Sequence, residues 1–137
     1  MQKLIAYTDG ASRNNPGPAS AGAVLFDGDT IVAEIRSFLG VQTNNWAEYE
    51  AVVQVLEKVY EPGLADRALE IRMDSKLVAE QLSGNWKIKK DTLQEQYNRI
   101  QDILERGFTN VRYVHVPRAE NSYADRLANE ALDNVRN

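Results

Sequence analysis

The feature that most constrains the fold of this chain is a change in the spacing of its apolar residues near residue 45. Before that point, the apolar runs 3–8, 21–26 and 30–38 are strand-like, and a short "DGD" connection typical of a β-hairpin separates the last two. The first run is apolar on both faces, which indicates a central strand. After residue 45 the apolar residues recur at helical spacing until Pro62. The chain therefore predicts three antiparallel strands followed by a helix.

The second half of the chain alternates between the two periods. It predicts a strand over 68–73, a helix from Ser75, a helix over 93–104, a strand over 111–116 and a helix from Ser122. The element order is β-β-β-α-β-α-α-β-α, which defines an α/β protein. With no internal repeat and no long linker, residues 1–137 are expected to form one domain.

Composition excludes several classes of protein. No apolar run approaches the roughly 20 residues of a membrane span, so we expect a soluble protein without membrane contact. The N-terminus lacks an export signal and the chain has no Cys, which favours a cytoplasmic protein. A net charge of −4 argues against general binding to polyanions and leaves "WKIKK" at 86–90 as the richest cationic stretch. Only carboxylates and His115 remain as candidate metal ligands.

Two acids in the first half have a structural explanation when each is taken alone. Asp9 ends the first strand and precedes Gly10, a common turn pair. Glu48 lies three residues after Asn45, a plausible N-cap, and so fits a capping box. Its helical phase, however, places Glu48 on the apolar side of the helix, where an unpaired acid is costly.

Two acids in the second half have similar explanations. Asp74 is a candidate N-cap of the helix that opens at Ser75, and Asp125 lies three residues after Ser122, again the spacing of a capping box. Asp74 also ends a strand, as Asp9 does. If those two strands are adjacent and parallel, their carboxyl ends meet at one edge of the sheet. Converging carboxylates of this kind suit hard divalent cations such as Mg²⁺.

Four motifs in order along the chain carry these acids: "YTDGASRNNPGPASAGAVL", "TNNWAEYEA", "MDSKLV" and "HVPRAENSYADRLANEAL". Together they resemble the type 1 ribonuclease H family over nearly the whole chain. The "VPRxxN" run and the absence of a basic insertion after the second helix are similar to its archaeal-type subgroup. The resemblance implies a ribonuclease H-like fold, with a five-stranded mixed sheet, three antiparallel strands followed by parallel ones, and helices on both faces.

The same resemblance implies an activity and a cofactor. The family's endonucleases hydrolyse the RNA strand of RNA–DNA hybrids to 5′-phosphomonoesters, using two Mg²⁺ ions for which Mn²⁺ can substitute. The implied ligands are Asp9, Glu48, Asp74 and Asp125. On this interpretation Asp9 bridges the two ions, and Asp125 helps to hold the ion beside the attacking water.

Substrate contacts follow from the resemblance as well. Asn15, Asn44 and Asn45 match positions that contact the RNA strand across the minor groove, so little sequence specificity is expected. Thr43, Asn85 and Trp86 resemble a pocket for a phosphate of the DNA strand. Capping and turn formation remain open alternatives for the Asn residues, and packing for Trp86.

Two departures from the family limit this interpretation. The region between the second and third helices is only "SGNWKIKKD", so we expect modest, salt-sensitive hybrid binding. His115 lies within a strand rather than in the loop before the last acid, which favours a structural role. Arg118, beyond that strand, is the better candidate for a phosphate or product contact.

Two other functions remain open on the same fold. The missing insertion is compatible with cleavage of RNA–RNA duplexes, and a non-catalytic nucleic-acid-binding module is distinguished by loss of an acid, of which none is lost here. We further expect a monomer that acts distributively.

Overall fold

The computed structural model describes residues 2–135, so positions 1, 136 and 137 of the predicted domain lie outside the described residues. Its elements are β1 Leu4–Ser12, β2 Gly17–Asp27, β3 Thr30–Gln42, α1 Asn44–Tyr60, β4 Leu69–Met73, α2 Lys76–Leu82, α3 Asp91–Leu104, β5 Val111–His115, a 3₁₀ turn Arg118–Asn121 and α4 Ser122–Val135. This order confirms the predicted β-β-β-α-β-α-α-β-α pattern. The 3₁₀ turn is an addition that the sequence did not indicate.

The five strands form one mixed sheet in the order β3-β2-β1-β4-β5. β1 is central, as its apolar pattern predicted. It pairs antiparallel with β2 and parallel with β4, while β4 pairs parallel with β5. Thr8 of β1 pairs with Met73 of β4, and Asp9 pairs with Gly22 of β2. This register brings the carboxyl ends of β1 and β4 together at one edge of the sheet.

Two glycines show that α1 and α4 cover opposite faces of the sheet. A Cβ atom at Gly10 would lie 2.3 Å from the backbone nitrogen of Glu48 in α1, and one at Gly22 would lie 2.3 Å from that of Ala128 in α4. Gly22 pairs with Asp9, the neighbour of Gly10, and successive residues of a strand face opposite sides. Each helix therefore approaches the sheet closely at one glycine, where no side chain separates the two.

The helix starts correct two predictions of capping. Thr43, not Asn45, is the N-cap of α1, and its hydroxyl accepts a hydrogen bond from the backbone nitrogen of Trp46 at 3.2 Å. Ser75, not Asp74, caps α2 through a bond from the backbone nitrogen of Val78 at 3.3 Å. Either residue type can cap a helix. Asp74 is thereby left without the capping role that would have explained it.

The main core lies between the sheet and helices α1, α2 and α3. Its largest fully buried side chains include Tyr49, Leu56, Ile71 and Ile100. β1 and β3 extend four residues beyond their predicted ends, because backbone pairing with β2 continues to Ser12 and Gln42. Among the described residues, no helix combines the length and apolar character of a membrane span.

Candidate active site

Asp9 and Asp74 meet where the parallel pairing of β1 with β4 ends. Thr8 and Met73 form the last registered pair between β1 and β4, so the next residue on each strand is an acid. Asp9 is only 6% exposed. The predicted meeting of these two acids is therefore a direct consequence of the sheet register.

Two helices bring the other predicted acids to the same edge. Glu48 lies on the second turn of α1 and accepts a hydrogen bond from the backbone nitrogen of Gly10 at 2.5 Å. Asp125 lies in the first turn of α4, within hydrogen-bonding reach of Asp9. Carboxylate oxygens of Asp9, Glu48 and Asp74 lie within 4.8 Å of one another. The structure thus brings all four predicted acids together.

Crowding of these carboxyl groups raises their affinity for protons. Burial, followed by the charges of Asp74 and Asp125, raises the pKa of Asp9 to about 8. Burial, with the charges of Asp9 and Asp74, raises the pKa of Glu48 well above its usual range. Burial likewise raises the pKa of Asp74, against the opposing charge of Arg118. Without a cation, the cluster resists full ionisation.

These acids lie in an open cleft of about 500 Å³. The residues that line the cleft are Asp9, Gly10, Ala11, Ser12, Arg13, Asn44, Glu48, Asp74, Ser75, Arg118, Asp125, Asn129 and Leu132. Carboxylate oxygens with room for further ligands match the preference of Mg²⁺ for oxygen donors and retained waters. The residues present therefore fit a divalent cation, which would also neutralise the repulsion between them.

Arg118 and His115 occupy different surroundings. Arg118 begins the 3₁₀ turn, lines the cleft and places its charge near Asp74. His115 is the last residue of β5, is exposed and pairs with Met73. Paired residues share a face of the sheet, and strand alternation places that face opposite Asp9. The expected position of His115 within a strand is confirmed, and Arg118 lies beside the acids with its charge near Asp74.

The predicted readers of the RNA strand gather at the start of α1. The Asn15 side-chain oxygen accepts a hydrogen bond from the backbone nitrogen of Asn44 at 2.9 Å, which leaves the NH₂ group of Asn15 as a donor. Asn44 lines the acidic cleft, whereas Asn45 lines a neighbouring groove of about 240 Å³. The first turn of α1 therefore separates the two depressions.

This neighbouring groove differs in membership from the predicted phosphate pocket. It is lined by Asn15, Pro16, Thr43, Asn45, Lys90, Thr92 and Leu93. The Asn85 side chain instead donates a hydrogen bond to Glu80 at 3.2 Å. Trp86 is 44% exposed, and the centre of its ring lies 5.8 Å from the Lys76 ammonium nitrogen. The grouping of Thr43 with Asn85 and Trp86 stays a prediction. The sequence did not indicate that Lys90 and Thr92 line this groove, although Lys90 belongs to the cationic stretch at 86–90.

The fold and site together define a class of protein: a mixed α/β sheet whose carboxyl edge carries a cluster of acids suited to divalent cations. A family model described as "Reverse transcriptase-like" matches residues 7–131. The ribonuclease HI of Halobacterium salinarum is 48% identical over 134 residues, which cover 97% of this chain and 66% of that protein. This chain belongs to the type 1 ribonuclease H family.

Two further relatives extend the comparison. The bifunctional protein Rv2228c of Mycobacterium tuberculosis is 44% identical over 96% of this chain, which spans only 36% of that protein's length. The crystal structure of LC11-RNase H1 in complex with RNA/DNA hybrid superposes with a TM-score of 0.93 at 42% identity, covering 97% of this chain and 99% of that one. The fold expected from the sequence is confirmed.

Proposed function

We propose that this chain is an endonuclease that hydrolyses the RNA strand of RNA–DNA hybrids and holds two Mg²⁺ ions, with Mn²⁺ as a substitute. The observation that carries the proposal is the convergence of Asp9, Glu48, Asp74 and Asp125 on one sheet edge. Membership of the ribonuclease H family and the likeness to an enzyme solved with a hybrid support it. A non-catalytic module has no comparable use for four crowded acids.

Each acid has a role that follows from its position. Asp9, the central member, faces both Asp74 and Asp125 and is the acid placed to bridge two cations. Glu48 and Asp74 complete one side of the cluster, and Asp125 completes the other. When bound, the two cations would activate the attacking water and offset charge on the leaving 3′ oxygen. The acids would release protons as the cations bind, because their pKa values are raised.

The two depressions suggest how a hybrid would be read. Asn44 lies in the acidic cleft and is placed to contact the RNA strand, where 2′-hydroxyl groups distinguish RNA from DNA. Thr43 and Lys90 lie in the adjacent groove, and we expect them to contact the opposite strand through its phosphates. Asn45 lines the same groove and stays a predicted contact of the RNA strand. This arrangement requires no contact specific to a base sequence. Arg118 lines the cleft, and we expect it to contact a phosphate there.

Several finer expectations stay predictions. The eight residues 83–90 that join α2 to α3 carry three lysines but no inserted helix, in keeping with modest and salt-sensitive hybrid binding. Distributive action by a cytoplasmic monomer stays a prediction, and preference for Mg²⁺ over Mn²⁺ is open to measurement.

Cleavage of a labelled hybrid tests the proposed activity. Wild-type protein with Mg²⁺ should cut the RNA strand, whereas the Asp9→Asn variant, or wild type with a chelator, should not. An RNA–RNA duplex of the same sequence measures how strictly a DNA strand is required. Absence of hybrid cleavage by wild type, or equal cleavage by Asp9→Asn, would contradict the assignment.

Binding of the hybrid tests the groove separately from the chemistry. In the Asp9→Asn background, Lys90→Ala should weaken binding of a hybrid and reduce the slope of log affinity against log salt by about 1. Lys58→Ala is the matched control, because Lys58 is an exposed lysine in the last turn of α1, at the other end of that helix from the groove. Equal effects of the two variants would remove Lys90 from the interface.

A further inference from the structure

Asn121 is a buried amide at the junction between the acidic edge and α4. It is the last residue of the 3₁₀ turn and its exposed fraction is 0%. Its side-chain nitrogen donates a hydrogen bond to the backbone oxygen of Thr8 at 2.9 Å. Fully buried Asn is uncommon, because its polar group loses water on folding. Its presence here needs an explanation.

The contacts of Asn121 join the separate segments that carry the acids. Thr8 immediately precedes Asp9, and its partner in the sheet, Met73, immediately precedes Asp74. The Asn121 amide also lies within hydrogen-bonding reach of the Asp74 carboxyl group. One side chain therefore contacts the last residue of β1 that pairs with β4 and the residue that follows β4.

Asn121 is also tied by the backbone to two cleft residues. Arg118 is the first residue of the same 3₁₀ turn, and Asp125 lies four residues later in the first turn of α4. The turn and the helix follow one another without a break. Any shift of Asn121 relative to Thr8 would therefore move Arg118 and Asp125 relative to Asp9.

The side-chain oxygen and nitrogen of Asn121 differ in their hydrogen bonding. Within residues 2–135, the Asn121 side-chain oxygen is buried without a hydrogen-bond partner. An unsatisfied buried acceptor costs about 1–3 kcal/mol. An apolar side chain would avoid that cost but would lose the link to Thr8. The donor group of Asn121 is therefore the part with a function.

We propose that Asn121 is a positioning residue for the cation site, which sets the spacing of Asp125 from Asp9 and Asp74 by fixing the 3₁₀ turn to Thr8, where the pairing of β1 with β4 ends. Its effect on cleavage rests on the proposed ribonuclease activity, but its effect on cation binding does not. The competing explanation is that Asn121 only stabilises the fold. Outer partners of metal ligands typically change metal affinity or activity by about 10–100-fold.

Gln81 provides a matched control. It is also a buried amide, 5% exposed, and donates a hydrogen bond to the backbone oxygen of Lys87 at 3.2 Å. It lies on α2 and accepts a second bond from the Tyr49 hydroxyl. It does not line the cleft, and its hydrogen bonds are to Tyr49 and Lys87 rather than to the acids. A change at Gln81 therefore removes a comparable buried interaction without touching the site.

The test measures binding of Mn²⁺ without nucleic acid, by calorimetry on the full chain, for Asn121→Leu, Asn121→Ala and Gln81→Leu. The smaller Ala variant serves if Leu does not fit the buried site. We expect the Asn121 variants to raise the dissociation constant for Mn²⁺ at least about tenfold. We expect Gln81→Leu to bind Mn²⁺ as wild type does. Urea unfolding of each variant in chelator shows how much stability each has lost.

The outcomes separate the two explanations and the two proposals. Weaker Mn²⁺ binding by the Asn121 variants alone supports the positioning role. Wild-type Mn²⁺ binding by either folded Asn121 variant, or equal weakening in Gln81→Leu, overturns it. Hybrid cleavage is measured in parallel: a wild type that binds Mn²⁺ but cleaves no hybrid contradicts the proposed function alone and leaves the Mn²⁺ comparison decisive for Asn121.

Discussion

Two buried acids on the same face of the sheet have opposite electrostatic surroundings. Asp9 and Glu70 are each 6% exposed. Glu70 pairs with Ile5, four residues before Asp9 on β1, so strand alternation places both acids on one face, roughly 13 Å apart. Yet the pKa of Asp9 is raised to about 8, whereas that of Glu70 is lowered. Burial alone therefore does not decide the behaviour of an acid in this protein.

The partners of each acid explain the difference. Glu70 accepts hydrogen bonds from Lys3 at 2.8 Å and Arg72 at 2.6 Å, and Arg112 lies 3.8 Å away. The acids around Asp9 have instead one another as neighbours, with Arg118 as the cation whose charge opposes them at Asp74. The negative charge of Glu70 is therefore balanced by cationic side chains of the same chain. The acidic edge keeps an excess of negative charge, because four acids crowd together beside Arg118, and a site for divalent cations requires such an excess.

The largest expected difference between the two clusters is in catalysis. Glu70 lies within β4 and Asp74 immediately follows that strand. Asp74→Asn and Glu70→Gln therefore make the same chemical change, from a carboxyl group to an amide, four residues apart. Asp74→Asn should reduce hybrid cleavage by more than about a hundredfold, the upper range for partners outside the metal ligands. Glu70→Gln should leave cleavage within about twofold. Initial rates at saturating Mg²⁺ make the measurement, and comparable losses in both variants would end the distinction.

The next largest effect is stabilisation by added cation. A ligand that binds only the folded state adds about 2.7 kcal/mol when present at 100 times its dissociation constant. For a chain of this size we expect Mg²⁺ or Mn²⁺ to raise Tm on the order of 5–10 °C. Wild type and Glu70→Gln should both show the increase, and Asp9→Asn should lose most of it. Thermal unfolding at matched ionic strength is the measurement. A full increase in Asp9→Asn would place the cation elsewhere.

The pH dependence of stability should also differ between the two acids. From about pH 4 to 8, metal-free folded protein retains a proton on Asp9 that the unfolded chain has released, so this acid lowers stability as the pH rises. In chelator at pH 8, Asp9→Asn should therefore be more stable than wild type by at least about 1.4 kcal/mol, the equivalent of one pKa unit. The gain should vanish near pH 4. Urea unfolding across this range checks both statements.

Glu70 should show the opposite sign. Its ion pairs lower its pKa, so its contribution is present above the ordinary pKa of a glutamate and is lost as the pH falls through the lowered value. At pH 8, Glu70→Gln should cost about 1–3 kcal/mol, because buried hydrogen bonds to charged groups are lost. The measured quantity is the change in the free energy of unfolding in Asp9→Asn and in Glu70→Gln. A change of the same sign in both variants at pH 8 would refute this interpretation of the clusters.

Sequence patterns predicted the acidic edge because each step depends on local information. Asp9 and Asp74 follow predicted strands, and helical phase places Glu48 on the buried side of α1. The N-cap of α1 was mispredicted because Thr43, Asn44 and Asn45 are consecutive and both residue types favour that position. Only the bond that Thr43 accepts from Trp46 distinguishes them.

Features that depend on packing between distant segments were not predictable in this way. Lys90 reaches the groove because α3 packs against α1, which no local pattern encodes. Asn121 looks like an exposed polar residue in the sequence, and its burial follows from the 3₁₀ turn that places it under β1. The ion pairs of Glu70 depend on the strand register, since Lys3 and Arg112 come from the two flanking segments of the sheet.

The smallest expected effect concerns the outermost cation of the Glu70 cluster. Arg112 lies 3.8 Å from Glu70 and its side chain is 68% exposed, so solvent and salt screen its attraction. Exposed pairs of this kind contribute about 0–1 kcal/mol, and Arg112→Ala should fall within that range. Arg72→Ala should cost more, because Arg72 bonds both Glu70 and the Tyr7 hydroxyl. Urea unfolding at low and high salt separates the two: Arg112→Ala should lose its small effect at high salt. If Arg112→Ala equals Arg72→Ala at both salt concentrations, general positive charge rather than the two short hydrogen bonds keeps Glu70 ionised.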